Sequence, residues 1–169
     1  MTYKISDNTL RKAAAEGMDT FIEAIADAIK EGAGGELSAD TMHKMNGEQI
    51  TLLAYLALRE EVMDGGFIQL IKNGWGPFFF NNPFDVAMKR WGMQDLCRLV
   101  RKVQKLYNKH GQNIEADMSD DEFMALYEKF PMFDDFDDDF ISNEELWTTI
   151  VATHVDENLD NFVTIVNNE

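Results

Sequence analysis

Between positions 93 and 110 the apolar residues Leu96, Leu99, Val100, Val103, Leu106 and Tyr107 return every three or four positions, while Arg98, Arg101, Lys102, Lys105 and Lys109 fall opposite them. This is the period of an α-helix with one buried and one solvated face. The same period runs through Leu10, Ala14, Met18, Phe21, Ile22, Ile25 and Ile29, which predicts one helix over 7–31, ended by the glycines of "GAGGE".

Further elements are marked by their ends. A short helix is expected over 38–45. Asn46, with Gln49 three residues on, reads as a capping box for a helix reaching about position 64, where "DGG" breaks or bends it. "FIQLIKNG" is expected to add one or two helical turns and "WGPFFFNN" an aromatic loop. Asn82 before Pro83 predicts an N-cap and first turn for a helix over 83–91. Ser119 with Glu122, and Ser142 with Glu145, read as two more helix starts. After Asp160, "NFVTIV" has the β-branched and aromatic content of a short C-terminal strand, although six residues do not decide it. No internal repeat or Pro/Ser linker appears, so the expected fold is mainly α, with residues 1–169 in a single compact multi-helix domain.

With 45% apolar and 11% aromatic residues, the chain is too hydrophobic to be disordered despite a net charge of −16. Its start has no secretory-signal pattern, and "ITLLAYLAL" is about half the length that spans a bilayer, so no membrane association is expected. Cys97 is the sole cysteine, which excludes an intrachain disulfide, suits core filling and points to a reducing cytoplasm.

The charge is unevenly spread. Positions 1–110 hold 14 acids and 14 bases, whereas 111–169 hold 17 acids and the single base Lys129. Such asymmetry points to interaction, because net charge governs long-range attraction rather than fold. The basic stripe at 98–109 is read as a solvated face or an internal counter-charge. Direct nucleic-acid binding is not expected in a negative overall field.

Known reaction chemistries find little support. His43, His110 and His154 lack partners at metal-ligand spacing, and no zinc, dithiol or phosphate-loop motif appears, so no cofactor is expected. The densest acidic run, "MFDDFDDDFISNEELW" at 132–147, does not fit an EF-hand loop. With Asp135 first, Phe140 takes the glycine position and Leu146 the glutamate position; with Asp134 first, Phe136 takes a ligand position. Looser calcium or magnesium binding by clustered carboxylates stays open, as does a hydrolase using an acid pair, although so many acids single out no pair.

Phe130, Phe133, Phe136 and Phe140 recur every three or four residues, so this segment can bury rings and point aspartates outward. If 134–139 is helical, its five aspartates lie along roughly 9 Å, about one charge per 1.8 Å, against about one per 1.7 Å of duplex DNA axis. Self-repulsion of this kind needs compensation or a use: a strongly negative face attracts proteins with a rigid positive one, such as DNA-binding domains, and the alternative reading is a face that only keeps the protein in solution.

Positions 46–92 carry Glu61, Val62, Gly65, Gly66, Phe67, Gln69, Asn73 and Gly74, then Asn82, Pro83 and Phe84. This pattern resembles the glutamate-valine, Gly-Gly-Phe, glutamine, asparagine-glycine signature of a small helical bacterial family whose best-understood member is an acidic DNA mimic. The resemblance implies a helical fold and a homodimer whose surface carboxylates imitate DNA phosphates. It also implies a helix-turn-helix transcription factor as target, kept off its operator without any enzymatic step. The carboxylates expected to meet that partner are Asp134, Asp135, Asp137, Asp138 and Asp139, helped by Asp120, Asp121, Glu144 and Glu145.

Overall fold

The first amphipathic stretch forms two helices where one was expected: α1 (Asp7–Glu16) and α2 (Met18–Ala33). They part at Gly17, whose φ of 130° and ψ of 173° lie where a Cβ is not tolerated. The turn also moves the apolar stripe, so that Ala14 and Met18 are exposed while Leu10, Ala13, Ile22, Ile25 and Ile29 are buried. The computed structural model describes residues 3–167. Among these the fold is mainly α, with nine α-helices and one two-stranded sheet, and the chain divides into two compact units at Leu56/Ala57 and Trp147/Thr148.

In the first unit, strand β1 (Tyr3–Ser6) precedes α1 and pairs in parallel with β2 (Val163–Val166), in the register Tyr3 to Val163. The C-terminal strand reading is thereby realised, with a partner that the sequence did not suggest. Helix α3 (Ala39–Met42) is shorter than expected but starts where expected, with Ser38 and Thr41 forming its capping box. Helix α4 (Gly47–Lys72) opens on the anticipated box: Gln49 N–H donates to Asn46 Oδ1 at 2.8 Å, and Asn46 N–H to Gln49 Oε1 at 2.9 Å. The same two side chains hold the approach to β2, Asn46 Nδ2 donating to the Asn161 carbonyl and Gln49 Nε2 to that of Phe162. Near the end of α9 (Asp134–Glu157), His154 Nε2 lies 2.7 Å from Glu48 Oε2. Deeper inside, the Tyr55 and Thr148 hydroxyls meet at 2.7 Å, satisfying two polar groups in an apolar core.

The second unit holds the rest of α4, then α5 (Gly76–Asn81), α6 (Phe84–Arg90), α7 (Gln94–Glu115), α8 (Asp120–Lys129) and the first part of α9. The expected aromatic loop is the helix α5, with Pro77 in its first turn, where the missing N–H costs no hydrogen bond. Its rings build core: Phe79 packs edge-on against Phe84 with centroids 4.9 Å apart, and Phe80 lies 5.0 Å from Tyr107. Asn82 does not cap α6 with its side chain; its amide donates to the Pro77 carbonyl. Helix α7 follows the sequence pattern, burying Leu96, Leu99, Val100 and Val103, with all five bases of the stripe exposed. Arg101 of that stripe pairs with Asp85 at 2.8 Å.

The helix expected to start at Ser142 begins eight residues earlier, at Asp134, so Ser142 and Glu145 lie within α9 rather than at its end. Phe130 closes α8, and a 3-10 turn over Pro131–Phe133 joins it to α9. Proline at that turn blocks continuation of α8 and resets the chain for the next helix.

Candidate functional site

The acidic run sits on two consecutive helices of the second unit. Ser119 caps α8 as expected: its Oγ accepts from Glu122 N–H at 3.2 Å, and the Glu122 carboxylate returns to the Ser119 N–H and hydroxyl. Asp120 and Asp121 occupy the first turn, where the helix dipole favours negative charge, and both are exposed. In α9 the segment 134–139 is helical, which removes the loop geometry a calcium hand requires.

Aromatic burial fixes how α9 is rotated. Phe133 and Phe140 are fully buried, Phe130 nearly so, and Phe136 is only partly covered. Phe140 lies edge-on to Phe67 at 6.3 Å and 5.4 Å from the Trp147 ring, whose Nε1 donates to Asp95 Oδ1 at 3.0 Å. With that face held, Asp134, Asp135, Asp138 and Asp139 are exposed. Four outward carboxylates over roughly 9 Å of helix give about one charge per 2.3 Å, sparser than the five-charge reading.

The fifth aspartate turns inward. Asp137 Oδ1 accepts the backbone N–H of Phe67 at 2.8 Å. That N–H is free because α4 breaks at Gly66, with φ 75° and ψ −175°. A Cβ at Gly66 would collide with the Asp137 carboxylate, so the absence of a side chain admits the acid as well as the backbone angle. One residue back, the Gly65 carbonyl accepts from the Tyr127 hydroxyl of α8 at 2.7 Å. Burial pushes the Asp137 carboxyl up to about 6; the Phe67 N–H opposes this, and neighbouring Asp134 and Asp138 add to it. The Tyr127 hydroxyl is also raised, by burial first and then by Asp137 and Asp64.

The signature residues surround this break. Gln69 Nε2 donates to Glu61 Oε2 at 3.1 Å and Asp64 Oδ2 at 2.9 Å, and Asn73 Nδ2 donates to Glu61 at 2.8 Å, bridging the interrupted turn with side chains. Val62 and Phe67 fill the core beneath. The neutral signature thus forms the seat on which α8 and α9 are fastened. Glu144 is similarly engaged, 3.7 Å from Arg59 with both side chains largely buried, whereas Glu145 is exposed.

Of the nine carboxylates expected to face a partner, seven are exposed, and Asp137 and Glu144 serve the packing of α9. Periodicity held a signal for both. From Phe133 to Phe140 and Trp147 the buried stripe passes through positions 137 and 144. Among the described residues, no group of three or more His, Cys, Asp or Glu side chains is arranged to hold a metal ion, and no helix is long and apolar enough to cross a membrane.

Comparison with known proteins gives this arrangement a context. The family described as DMP19-like protein matches residues 43–163, which include the α4 signature and both acidic helices. The curated DNA mimic protein DMP19 of Neisseria meningitidis serogroup B is 31% identical over 128 residues, covering 75% of this chain and 77% of that protein. The resemblance first carried by eleven residues of 46–92 therefore extends to most of the sequence, and the chain belongs to the DMP19-like protein family.

Proposed function

We propose that this protein is a non-enzymatic DNA mimic. Its acidic face binds the DNA-binding surface of a helix-turn-helix transcription factor, keeps that factor from its operator and so regulates transcription in the cytoplasm. The observation that carries this reading is the exposure of Asp134, Asp135, Asp138 and Asp139 on a helix whose rotation is fixed by buried Phe133 and Phe140. A row of carboxylates on a rigid support can stand in for phosphates, because arginine and lysine recognise both through charge-assisted hydrogen bonds. Asp120 and Asp121 in α8 and Glu145 in α9 widen the same charged surface. Kinship with a protein named as a DNA mimic supports the reading.

A homodimer would present two such faces, and operator half-sites about 34–36 Å apart set the spacing to be matched. The test uses a helix-turn-helix factor of the native host bound to labelled operator DNA. Adding the protein should release the DNA, with release weakening as salt rises. The variant D134N/D135N/D138N/D139N should release markedly less; equal release by this variant would exclude the α9 face as the contact surface.

A further inference from the structure

Beside the Gly66 break, α4, α8 and α9 enclose an open groove of about 560 Å³. Its lips are apolar although they face water: Met63 is 44% exposed, Met124 63% and Ile141 49%. Phe123 and Tyr127 line the groove further in, next to Gly65 and Gly66. Asp64, Asp134 and Asp138 stand at its edge, and no lysine or arginine lines it. A surface that only imitated a phosphate backbone would have no use for exposed methionine and isoleucine among its acids. Apolar side chains at a charged rim suit a ligand that is itself both apolar and cationic.

We propose that this groove is a docking site for a basic amphipathic segment of a partner protein. One apolar side chain of that segment lies between Met63, Met124 and Ile141, and neighbouring arginines or lysines meet Asp64, Asp134 and Asp138. The inference rests on the reading of the acidic helices as a protein-binding face and adds to it a specific anchor. Charge complementarity selects the cationic partner, and the apolar lips select a protein segment over a linear polyamine, which has no side chain to bury there. Methionine suits the role, since its unbranched thioether adapts to differently shaped apolar partners. Covering the lips also excludes water from the carboxylates, which strengthens each ion pair at the rim.

The probes are a capped peptide with arginines on one helical face and leucines on the other, an oligolysine of equal charge, and spermine. Each is titrated calorimetrically into the full chain, and methionine-methyl resonances are followed in parallel. The amphipathic peptide should bind about tenfold tighter than the oligolysine, the effect expected from burying one apolar side chain. It should shift the Met63 and Met124 methyls and keep part of its affinity at high salt. Met124→Ser and Ile141→Ser, both at exposed positions, should weaken the amphipathic peptide several-fold and leave the oligolysine unchanged; unaltered circular dichroism and melting establish that the variants fold. Equal affinity for peptide, oligolysine and spermine, or peptide binding untouched by both variants, would overturn the proposal. Failure of DNA mimicry would register separately, as absence of competition with operator DNA, while these peptide readouts stay as described.

Discussion

The carboxylate of Asp137 accepts the backbone N–H of Phe67 at 2.8 Å, so an acid from the most negative stretch of the chain completes a hydrogen bond that the break in α4 leaves open. The two residues are 70 positions apart, and each answers a need of the other. The break needs an acceptor, and a partly buried carboxylate needs a donor.

Stability should respond to pH through this group. Asp137 holds its proton up to about pH 6 in the fold and to about 3.8 when unfolded, so between these values the native state binds more protons. Its contribution to stability therefore falls as pH rises across that window and is least favourable above it. Asp137→Asn keeps an acceptor for Phe67 and removes the charge. Urea unfolding from about pH 4 to 7 should show a flatter profile for this variant, with stability at neutral pH equal to or above wild type. Asp137→Ala leaves the Phe67 N–H without its acceptor and should be about 1–3 kcal/mol less stable than the asparagine variant.

At Gly66 even the smallest side chain meets two obstacles, the positive φ and the Asp137 carboxylate. Gly66→Ala should cost at least about 2 kcal/mol. Gly65→Ala meets no positive φ but collides with Gln69, whose amide end can swing away while its Cβ, 2.8 Å from the added methyl, cannot; it should cost less than Gly66→Ala, the loss being that local strain and the Gln69 bonds to Glu61 and Asp64. Thermal denaturation of the two variants side by side checks the order; equal losses would contradict the geometry.

Phe140→Ala should remove about 3–5 kcal/mol, because the ring is fully buried between Phe67 and Trp147. Near-ultraviolet circular dichroism should also weaken as Trp147 loses its neighbour. A loss below about 1 kcal/mol would mean that other contacts set the rotation of α9.

Asp138 and Asp139 are exposed beyond the start of α9, with Asp134 and Asp135 one turn away. Their mutual repulsion predicts that D138N/D139N is slightly more stable than wild type at low salt, and that added salt closes the gap. Melting temperatures over a sodium chloride series decide this; a less stable double variant at every salt would show that these acids support the fold.

Asn46→Ala removes both a helix cap and the grip on the Asn161 carbonyl. A loss of about 1–2 kcal/mol is expected, with faster amide exchange in Val163–Val166 than in α7.

How far the residues alone disclose this molecule depends on the range of the forces involved. Capping boxes at Ser119 and Asn46 act over three residues, and both were legible, as was the apolar face of α7. The break at Gly17 was hidden because the apolar pattern runs on across it, and one glycine within a helical pattern is usually tolerated. "WGPFFFNN" read as a loop from its Gly-Pro pair, yet proline in a first turn starts a helix as readily as it stops one. β1 stayed invisible because a four-residue strand takes its meaning from a partner 160 positions away. In the acidic segment, counting charges located the run and the phenylalanine period suggested a buried face, but neither disclosed the inward turn of Asp137. That turn depends on a free N–H at Phe67, which exists only once α4 has folded with its break.

The division of the chain also sets an order in time. The second unit, Ala57–Trp147, is continuous in sequence, whereas the first draws on both sides of it and closes only when β2 reaches β1. At roughly 5–20 residues per second of synthesis, the unit bearing the four exposed aspartates leaves the ribosome before Val163 does. A chain lengthened by a C-terminal linker and stalled with Trp147 outside the ribosomal exit tunnel and β2 still within it should therefore already resist proteolysis across α7, while α1 and α2 stay open to cleavage until the parallel pair has formed.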